Sequence, residues 1–82
     1  MFVTAQISVY PLRQTSLSPA IENTLRILRD SGLDVSPGAM STVASGEDEA
    51  VFNALKDAYR EGSESGDVVM VVTLSNACPL QS

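Results

Sequence analysis

Alternation of apolar and polar residues near the start of the chain predicts a β-strand over residues 3–9. Successive side chains of a strand point to opposite sides of the sheet, so this stretch has one apolar face and one polar face. The apolar face carries Val3, Ala5, Ile7 and Val9. The polar face carries Thr4, Gln6, Ser8 and then Tyr10. Because Pro11 has no N–H to donate, we expect the strand pairing to end there.

A different spacing follows and predicts a helix over residues 18–31. Ser18 and Pro19 form a typical start, because a hydroxyl caps the first N–H groups and proline is tolerated in the first turn. Gly32 suits the left-handed residue that closes a helix. The apolar stripe expected to face the core recurs at helical spacing and consists of Ile21, Leu25 and Leu28.

Two short strands are expected next, forming a hairpin with its turn near residues 37–40. The first, over residues 33–39, contains Pro37 and therefore suits only the edge of a sheet. The second covers residues 40–44, where Thr42 and Val43 favour extended structure.

A second helix is predicted to begin at Ser45. Ser45 and Asp48 are spaced as a capping pair, and the acids at 47–49 suit the positive end of a helix dipole. Its predicted apolar stripe is Val51, Ala54, Leu55, Ala58 and Tyr59. A strongly apolar last strand is predicted over residues 67–76.

The resulting order, β-α-β-β-α-β, predicts an α+β protein with one domain over residues 1–82. This order is typical of the ferredoxin-like sandwich, in which two helices cover one face of a four-stranded antiparallel sheet. The usual strand order, 4-1-3-2, places the apolar last strand at an edge. An unguarded apolar edge favours association, so we expect a homo-oligomer, a dimer or a tetramer, formed through the open sheet face or the last strand.

Composition narrows the classes of function. The chain has 5 basic and 10 acidic residues, a net charge of −5, and no basic cluster, so neither nucleic acid nor an anionic membrane is an expected partner. It has no histidine and a single cysteine, which disfavours nucleophilic or general-base catalysis and an internal disulfide. No signal-peptide pattern opens the chain, and we expect a cytoplasmic protein.

The side of the sheet away from the helices, here called the open face, is the predicted binding surface. We expect it to present Thr4, Gln6, Ser8 and Tyr10, with Thr42, Thr73 and Ser75 as neighbours. Uncharged donors and acceptors among apolar residues suit a small, flat, polar molecule better than a phosphate or a metal ion.

Four stretches resemble the YkoF-type family of thiamine- and hydroxymethylpyrimidine-binding proteins, including its single-domain members. They are ISVYPL (7–12), MSTVASG (40–46), VFNALKDAY (51–59) and VVMVVTLSNACP (68–79). The resemblance implies a ferredoxin-like, non-enzymatic binder of thiamine or hydroxymethylpyrimidine, without a cofactor, that serves uptake, salvage or sensing. The founding architecture of the family has two such domains in tandem, whereas this chain has one.

The resemblance also implies ligand-binding positions, namely Ser8, Tyr10, Met40, Ser41, Thr42, Ser75, Asn76 and Cys78. Ser41 and Thr42 are expected to hydrogen-bond the aminopyrimidine, while Ser8 and Tyr10 line the pocket beside a soft apolar wall at position 40. The last three positions are expected to close its end. Gln6 is a further candidate, inferred from strand alternation alone.

Two other functions stay open at this point. A small dimeric ferredoxin-like enzyme is compatible with the fold, and a buried carboxylate beside Tyr10 would favour it. A regulatory or assembly domain that binds amino acids or partner proteins would instead hold its ligand at a subunit interface near the helix–strand loops.

Overall fold

The computed structural model describes residues 1–12, 18–64 and 66–77 and has the predicted ferredoxin-like architecture. Its elements are β1 (Phe2–Pro11), α1 (Ser18–Asp30), β2 (Asp34–Pro37), β3 (Thr42–Glu47), α2 (Asp48–Glu64) and β4 (Val68–Ser75). The antiparallel sheet has the order β2-β3-β1-β4, so the last strand lies at an edge as predicted. The two helices pack against each other and against the sheet.

Strand β1 is central and pairs with β3 over residues 2–7 and with β4 over residues 4–11. Directly paired residues of antiparallel strands share a face, so the register shows which side each residue occupies. Val3, Ala5 and Ile7 are buried beneath the helices together with Ala44 of β3, which confirms the predicted alternation.

The hydrophobic core lies between this face and the two helices. Its buried members are Val3, Ala5, Ile7, Leu28, Leu33, Ala44, Val51 and Ala54. The largest fully buried side chains are those of Ile7, Leu28 and Val51, one from β1 and one from each helix. Burying each contributes about 1.5–3 kcal/mol, so these three side chains hold the helices on the sheet.

Helix α1 begins at Ser18 and is closed by Gly32, whose φ of +80° confirms the predicted left-handed residue. Its buried face is rotated from the predicted stripe and consists of Thr24, Ile27 and Leu28. Leu25 is half-buried and Ile21 is exposed. The Thr24 hydroxyl donates to the carbonyl of Ala20 at 2.9 Å, which satisfies a polar group that the apolar pattern did not assign to the core.

The predicted start of the second helix at Ser45 is wrong, since β3 continues to Glu47 and α2 begins at Asp48. Ser45 is 4% exposed and pairs with Thr4 of β1, and the two hydroxyl oxygens lie 3.1 Å apart. Pairing with the central strand therefore outweighs the local capping signal. Asp48 and Glu49 occupy the first turn of α2, where a negative charge favours the helix dipole.

Helix α2 buries Val51, Ala54 and Ala58, as its apolar spacing predicts. Tyr59 is the exception, because it is 48% exposed. It shares one side of the helix with Phe52 and the half-buried Leu55, and these three residues are here called the outer flank of α2.

The hairpin between β2 and β3 turns over residues 38–41, close to the predicted position. The Gly38 amide donates to the Ser41 carbonyl at 2.8 Å. A Cβ on Gly38 would lie 2.8 Å from the same carbonyl oxygen, so glycine is required for the tight turn. Strand β3, predicted over residues 40–44, lies at Thr42–Glu47, further along the chain.

Candidate functional site

A cleft opens where the β2–β3 turn approaches the first turns of α1 and the middle of β1. We call it the hairpin cleft. Its cavity volume is about 80 Å³. Its lining residues are Ile7, Ser8, Val9, Ile21, Thr24, Gly38, Ala39, Met40, Ser41 and Thr42.

Two side chains of β1 attach the turn to the sheet. Gln6 Nε2 donates to Ser41 Oγ at 3.1 Å, and Ser8 Oγ donates a long hydrogen bond to the Met40 carbonyl at 3.5 Å. The register explains these contacts, because the Ile7–Thr42 pair is the last one between β1 and β3 and the turn begins directly beyond it. These polar residues of β1 therefore hold the turn against the central strand.

The lining of the hairpin cleft combines apolar walls with hydroxyl groups and includes no charged residue among the described positions. Ile21 and Val9 supply apolar surface, and Met40 lies at the mouth with 87% of its surface exposed. Thr42 lines the cleft from the helix side and Ser41 from the turn, while the Ser8 hydroxyl is directed to the Met40 carbonyl. A site of this kind favours a neutral, flat molecule with a few polar atoms. At about 80 Å³ the cleft is smaller than common small-ligand pockets, which enclose roughly 300–1,000 Å³, so it holds only part of such a molecule.

The structure brings five of the predicted binding residues together at this cleft. Ser8, Met40, Ser41 and Thr42 line it, and Gln6 contacts it through Ser41. Tyr10 is two residues further along β1, pairs with Val69 and is 50% exposed. It lies outside the described lining.

The expected position of Thr42 on the open face is wrong. Thr42 pairs with Ile7, whose side chain is buried beneath the helices, so Thr42 faces the helix side and lines the hairpin cleft from there. Thr73 and Ser75 pair with Gln6 and Thr4 and lie on the open face, as expected. Alternation along β1 predicted its own faces correctly, but the face of Thr42 depends on a register that the sequence did not reveal.

Ser75 and Asn76 lie at the other end of the sheet. Ser75 pairs with Thr4, which is four residues from Ser8 and thus about 13 Å away along the strand. Asn76 Nδ2 donates to Met1 Sδ at 3.5 Å. Within one subunit these residues do not contact the cleft, and Cys78 lies outside the described residues.

The N-terminal amino group of Met1 lies close to two carboxylates. It lies 3.3 Å from Glu47 Oε1 and 3.4 Å from Asp48 Oδ1. The hydrogen bond to Glu47 and the negative charges of both carboxylates raise the pKa of this amine above its ordinary value of 8.0. This cluster lies at the end of β1 opposite to the hairpin cleft.

Sequence reasoning missed the contribution of α1 to the site. Ile21 was assigned to the core and Thr24 was not assigned at all, yet both line the cleft. The signal was indirect, because the start of α1 and the β2–β3 turn lie far apart in the sequence and approach each other only in the folded chain. Gly38 and Ala39 complete the lining from the turn.

Comparison with solved structures gives the same fold in several organisms. A hypothetical protein from Methanocaldococcus jannascii is 24% identical with a TM-score of 0.85, and 98% of this chain aligns with 84% of that chain. A protein from Streptococcus pneumoniae is 21% identical with a TM-score of 0.83, over 92% of this chain and 86% of that one.

A third structure, from Thermotoga maritima, belongs to a protein whose role in thiamine biosynthesis or salvage is itself a proposal. It is 21% identical with a TM-score of 0.80, over 90% of this chain and 82% of that one. At these identities the likeness concerns the fold alone. No helix among the described residues is long and apolar enough to cross a membrane.

Family membership rests on the sequence itself. A comparison with curated proteins found no match. The family model described as thiamine-binding protein matches residues 5–76, which includes all of α1, β2, β3, α2 and β4 and most of β1. The chain therefore belongs to the thiamine-binding protein family.

Proposed function

We propose that the chain binds thiamine or its hydroxymethylpyrimidine half in the hairpin cleft, without catalysing a reaction. The observation that carries the proposal is the convergence of Ser8, Met40, Ser41 and Thr42 on one cleft in a chain whose residues 5–76 match the thiamine-binding family. Three of these four positions are consecutive in the chain, at the hairpin turn.

The chemistry of the cleft supports the pyrimidine half as the buried part of the ligand. An aminopyrimidine is flat and uncharged and has an amino group and ring nitrogens for hydrogen bonding. We expect the hydroxyls of Ser41 and Thr42 to provide polar contacts, and Ile21 and Met40 to provide apolar surface for the ring faces. The cationic thiazolium of thiamine would extend from the mouth, toward solvent, on a chain with a net charge of −5.

A binding role is also supported over acid–base chemistry. The described lining of the cleft contains no carboxylate, lysine or arginine, and the cross-strand neighbour of Tyr10 is Val69. General acid–base catalysis needs an ionisable group within hydrogen-bond reach of the substrate. We propose that the protein serves uptake, salvage or sensing of its ligand in the cytoplasm.

Calorimetry with hydroxymethylpyrimidine and thiamine tests this proposal. We expect both to bind, and we expect Ser41→Ala to weaken binding roughly 2- to 12-fold, the effect of losing one hydrogen bond of about 0.5–1.5 kcal/mol. Ser36→Ala is the matched control, because Ser36 is exposed on β2 outside the cleft lining and its substitution should leave affinity unchanged. Absence of both heat and a thermal shift at millimolar ligand would refute the proposal.

A further inference from the structure

The three methionines of the chain lie in different surroundings. Met70 of β4 pairs with Val9 on the helix side and is half-buried against the hydrophobic core. Met1 is 63% exposed, and its sulfur accepts the hydrogen bond from Asn76. Met40 is 87% exposed, more than any other large apolar residue in the described part of the chain. Solvent therefore reaches the Met40 thioether more freely than that of either other methionine.

The backbone of Met40 is fixed although its side chain lies in solvent. The Met40 carbonyl accepts from the Ser8 hydroxyl. The next residue, Ser41, accepts from the Gln6 amide through its side chain. The Gly38 amide closes the same turn by donating to the Ser41 carbonyl. Because hydrogen bonds hold the turn at and around residue 40, the thioether is kept at the mouth of the hairpin cleft.

The small size of the hairpin cleft gives this position weight in binding. A cavity of about 80 Å³ holds only part of a small ligand, so the remaining part lies at the mouth, beside Met40. A thioether is apolar and polarisable and packs well against aromatic rings, which stabilises a ring placed there. A sulfoxide is polar, and covering its oxygen with a ring face removes the water that hydrates it.

We propose that Met40 is a site of reversible oxidation by peroxides and that its sulfoxide weakens ligand binding at the hairpin cleft; the second part rests on the proposed function. In this reaction the O–O bond of hydrogen peroxide breaks, and one oxygen atom forms a bond to Met40 Sδ. The sulfur loses two electrons, and the peroxide is reduced to water. Methionine sulfoxide reductases reverse the change, so affinity falls under oxidising conditions and recovers afterwards.

The location of the other two methionines makes the expected effect specific to Met40. Met70 packs against the core, so a sulfoxide there would act on stability. Met1 contacts Asn76 at the end of the sheet away from the hairpin cleft. Of the three, only Met40 belongs to the described lining of the cleft. A loss of affinity without a loss of folding is therefore the expected result of oxidation at Met40.

Peptide mapping by mass spectrometry after graded exposure to hydrogen peroxide tests the modification itself. We expect one oxygen atom to be added at Met40 before Met1 and well before Met70. Treatment with dithiothreitol returns a sulfenate or disulfide of Cys78 to the thiol and leaves sulfoxides in place, which separates methionine from cysteine chemistry. Slower oxidation of Met40 than of either other methionine would overturn the proposal.

Calorimetry with hydroxymethylpyrimidine on the same samples tests the effect on binding. Oxidation should weaken binding roughly 2- to 12-fold, the effect of losing one contact between sulfur and a ring. Treatment with the two methionine sulfoxide reductases should restore the affinity, since each enzyme reduces one sulfoxide epimer. Met40→Gln, which resembles the sulfoxide in polarity, should weaken binding by a similar factor without peroxide. Circular dichroism establishes that every sample is folded.

Two variants separate Met40 from the other oxidisable residues. The affinity of Met40→Leu, whatever its starting value, should not change on peroxide treatment, because leucine has no sulfur. Met70→Leu is the matched control and should remain as sensitive to peroxide as the unmodified chain. Sensitivity retained in Met40→Leu, or an oxidised Met40 with unchanged affinity, would overturn the proposal.

Failure of the proposed function gives a different result. If the chain binds neither hydroxymethylpyrimidine nor thiamine before any oxidation, the proposed function is refuted, and the effect of the sulfoxide on binding is refuted with it. The peptide map is independent of ligand and still decides whether Met40 is the residue that peroxide modifies first.

Discussion

At the scale of single residues, two glycines are required for different reasons, so we expect their substitution to affect stability and binding differently. Gly32 has a positive φ, and a Cβ added to it would meet no other atom within 4 Å, so its role is to close α1. Gly38 is confined by the Ser41 carbonyl, which belongs to the turn that lines the hairpin cleft. One glycine is required by backbone conformation and the other by close approach.

We predict that Gly38→Ala shifts the turn and weakens binding of hydroxymethylpyrimidine, with a loss of about 1–3 kcal/mol in the free energy of unfolding from overpacking. Gly32→Ala should cost about 1–2 kcal/mol of stability from backbone strain but leave the affinity unchanged. Denaturant titration and calorimetry on both variants measure the two effects. Equal effects of the two variants on affinity would show that the turn does not shape the site.

A second prediction concerns the Met1 amino group. Because Glu47 and Asp48 raise its pKa above 8.0, its contribution to stability is fully present below that value and is lost as pH rises through the raised pKa. NMR titration of the amine should show the elevated value, and Glu47→Gln should lower it. An unshifted amine in the unmodified protein would contradict the described contacts.

At the scale of elements, the sequence predicted the existence, order and type of all six, because period-2 and period-3.6 patterns are strong here. It failed where two elements meet. Ser45 has the local signature of a helix cap, but pairing with Thr4 keeps it in β3. The buried face of α1 differs from the predicted apolar stripe because it includes Thr24. This threonine can be buried since its hydroxyl bonds the Ala20 carbonyl, and a pattern of apolar residues does not include it.

The rotated face of α1 gives a prediction that the sequence pattern alone does not. Ile21 and Leu28 belong to the same predicted stripe, but only Leu28 is fully buried. We expect Leu28→Ala to cost about 2–5 kcal/mol in the free energy of unfolding, and Ile21→Ala to cost distinctly less while weakening ligand binding. Chemical denaturation of the two variants measures the contrast, and equal losses would restore the original stripe.

At the scale of the whole molecule, the predicted binding residues divide into two groups at opposite ends of the sheet. Residues near the β2–β3 turn share one cleft, whereas Ser75 and Asn76 lie beside the N-terminus. A strand pattern assigns a residue to a face but not to a position along that face. The register supplied this position, and a single sequence did not contain it.

We therefore predict that Asn76→Ala leaves the affinity for hydroxymethylpyrimidine unchanged, whereas Ser41→Ala reduces it. Calorimetry on the pair of variants distinguishes a cleft within one subunit from a site assembled from both ends of the sheet. A loss of affinity in Asn76→Ala, in a protein that remains folded, would show that the far end of another subunit takes part.

The hydrogen bond from Gln6 to Ser41 has a consequence for selectivity. The Ser41 oxygen accepts from the Gln6 amide, which orients the hydroxyl and favours its hydrogen as the group offered to a ligand. That hydrogen matches a heterocycle with an unprotonated nitrogen lone pair at this place. In the proposed complex a ring that carries a proton there would lose this match, so we expect the Gln6–Ser41 pair to favour the unprotonated tautomer of the ligand.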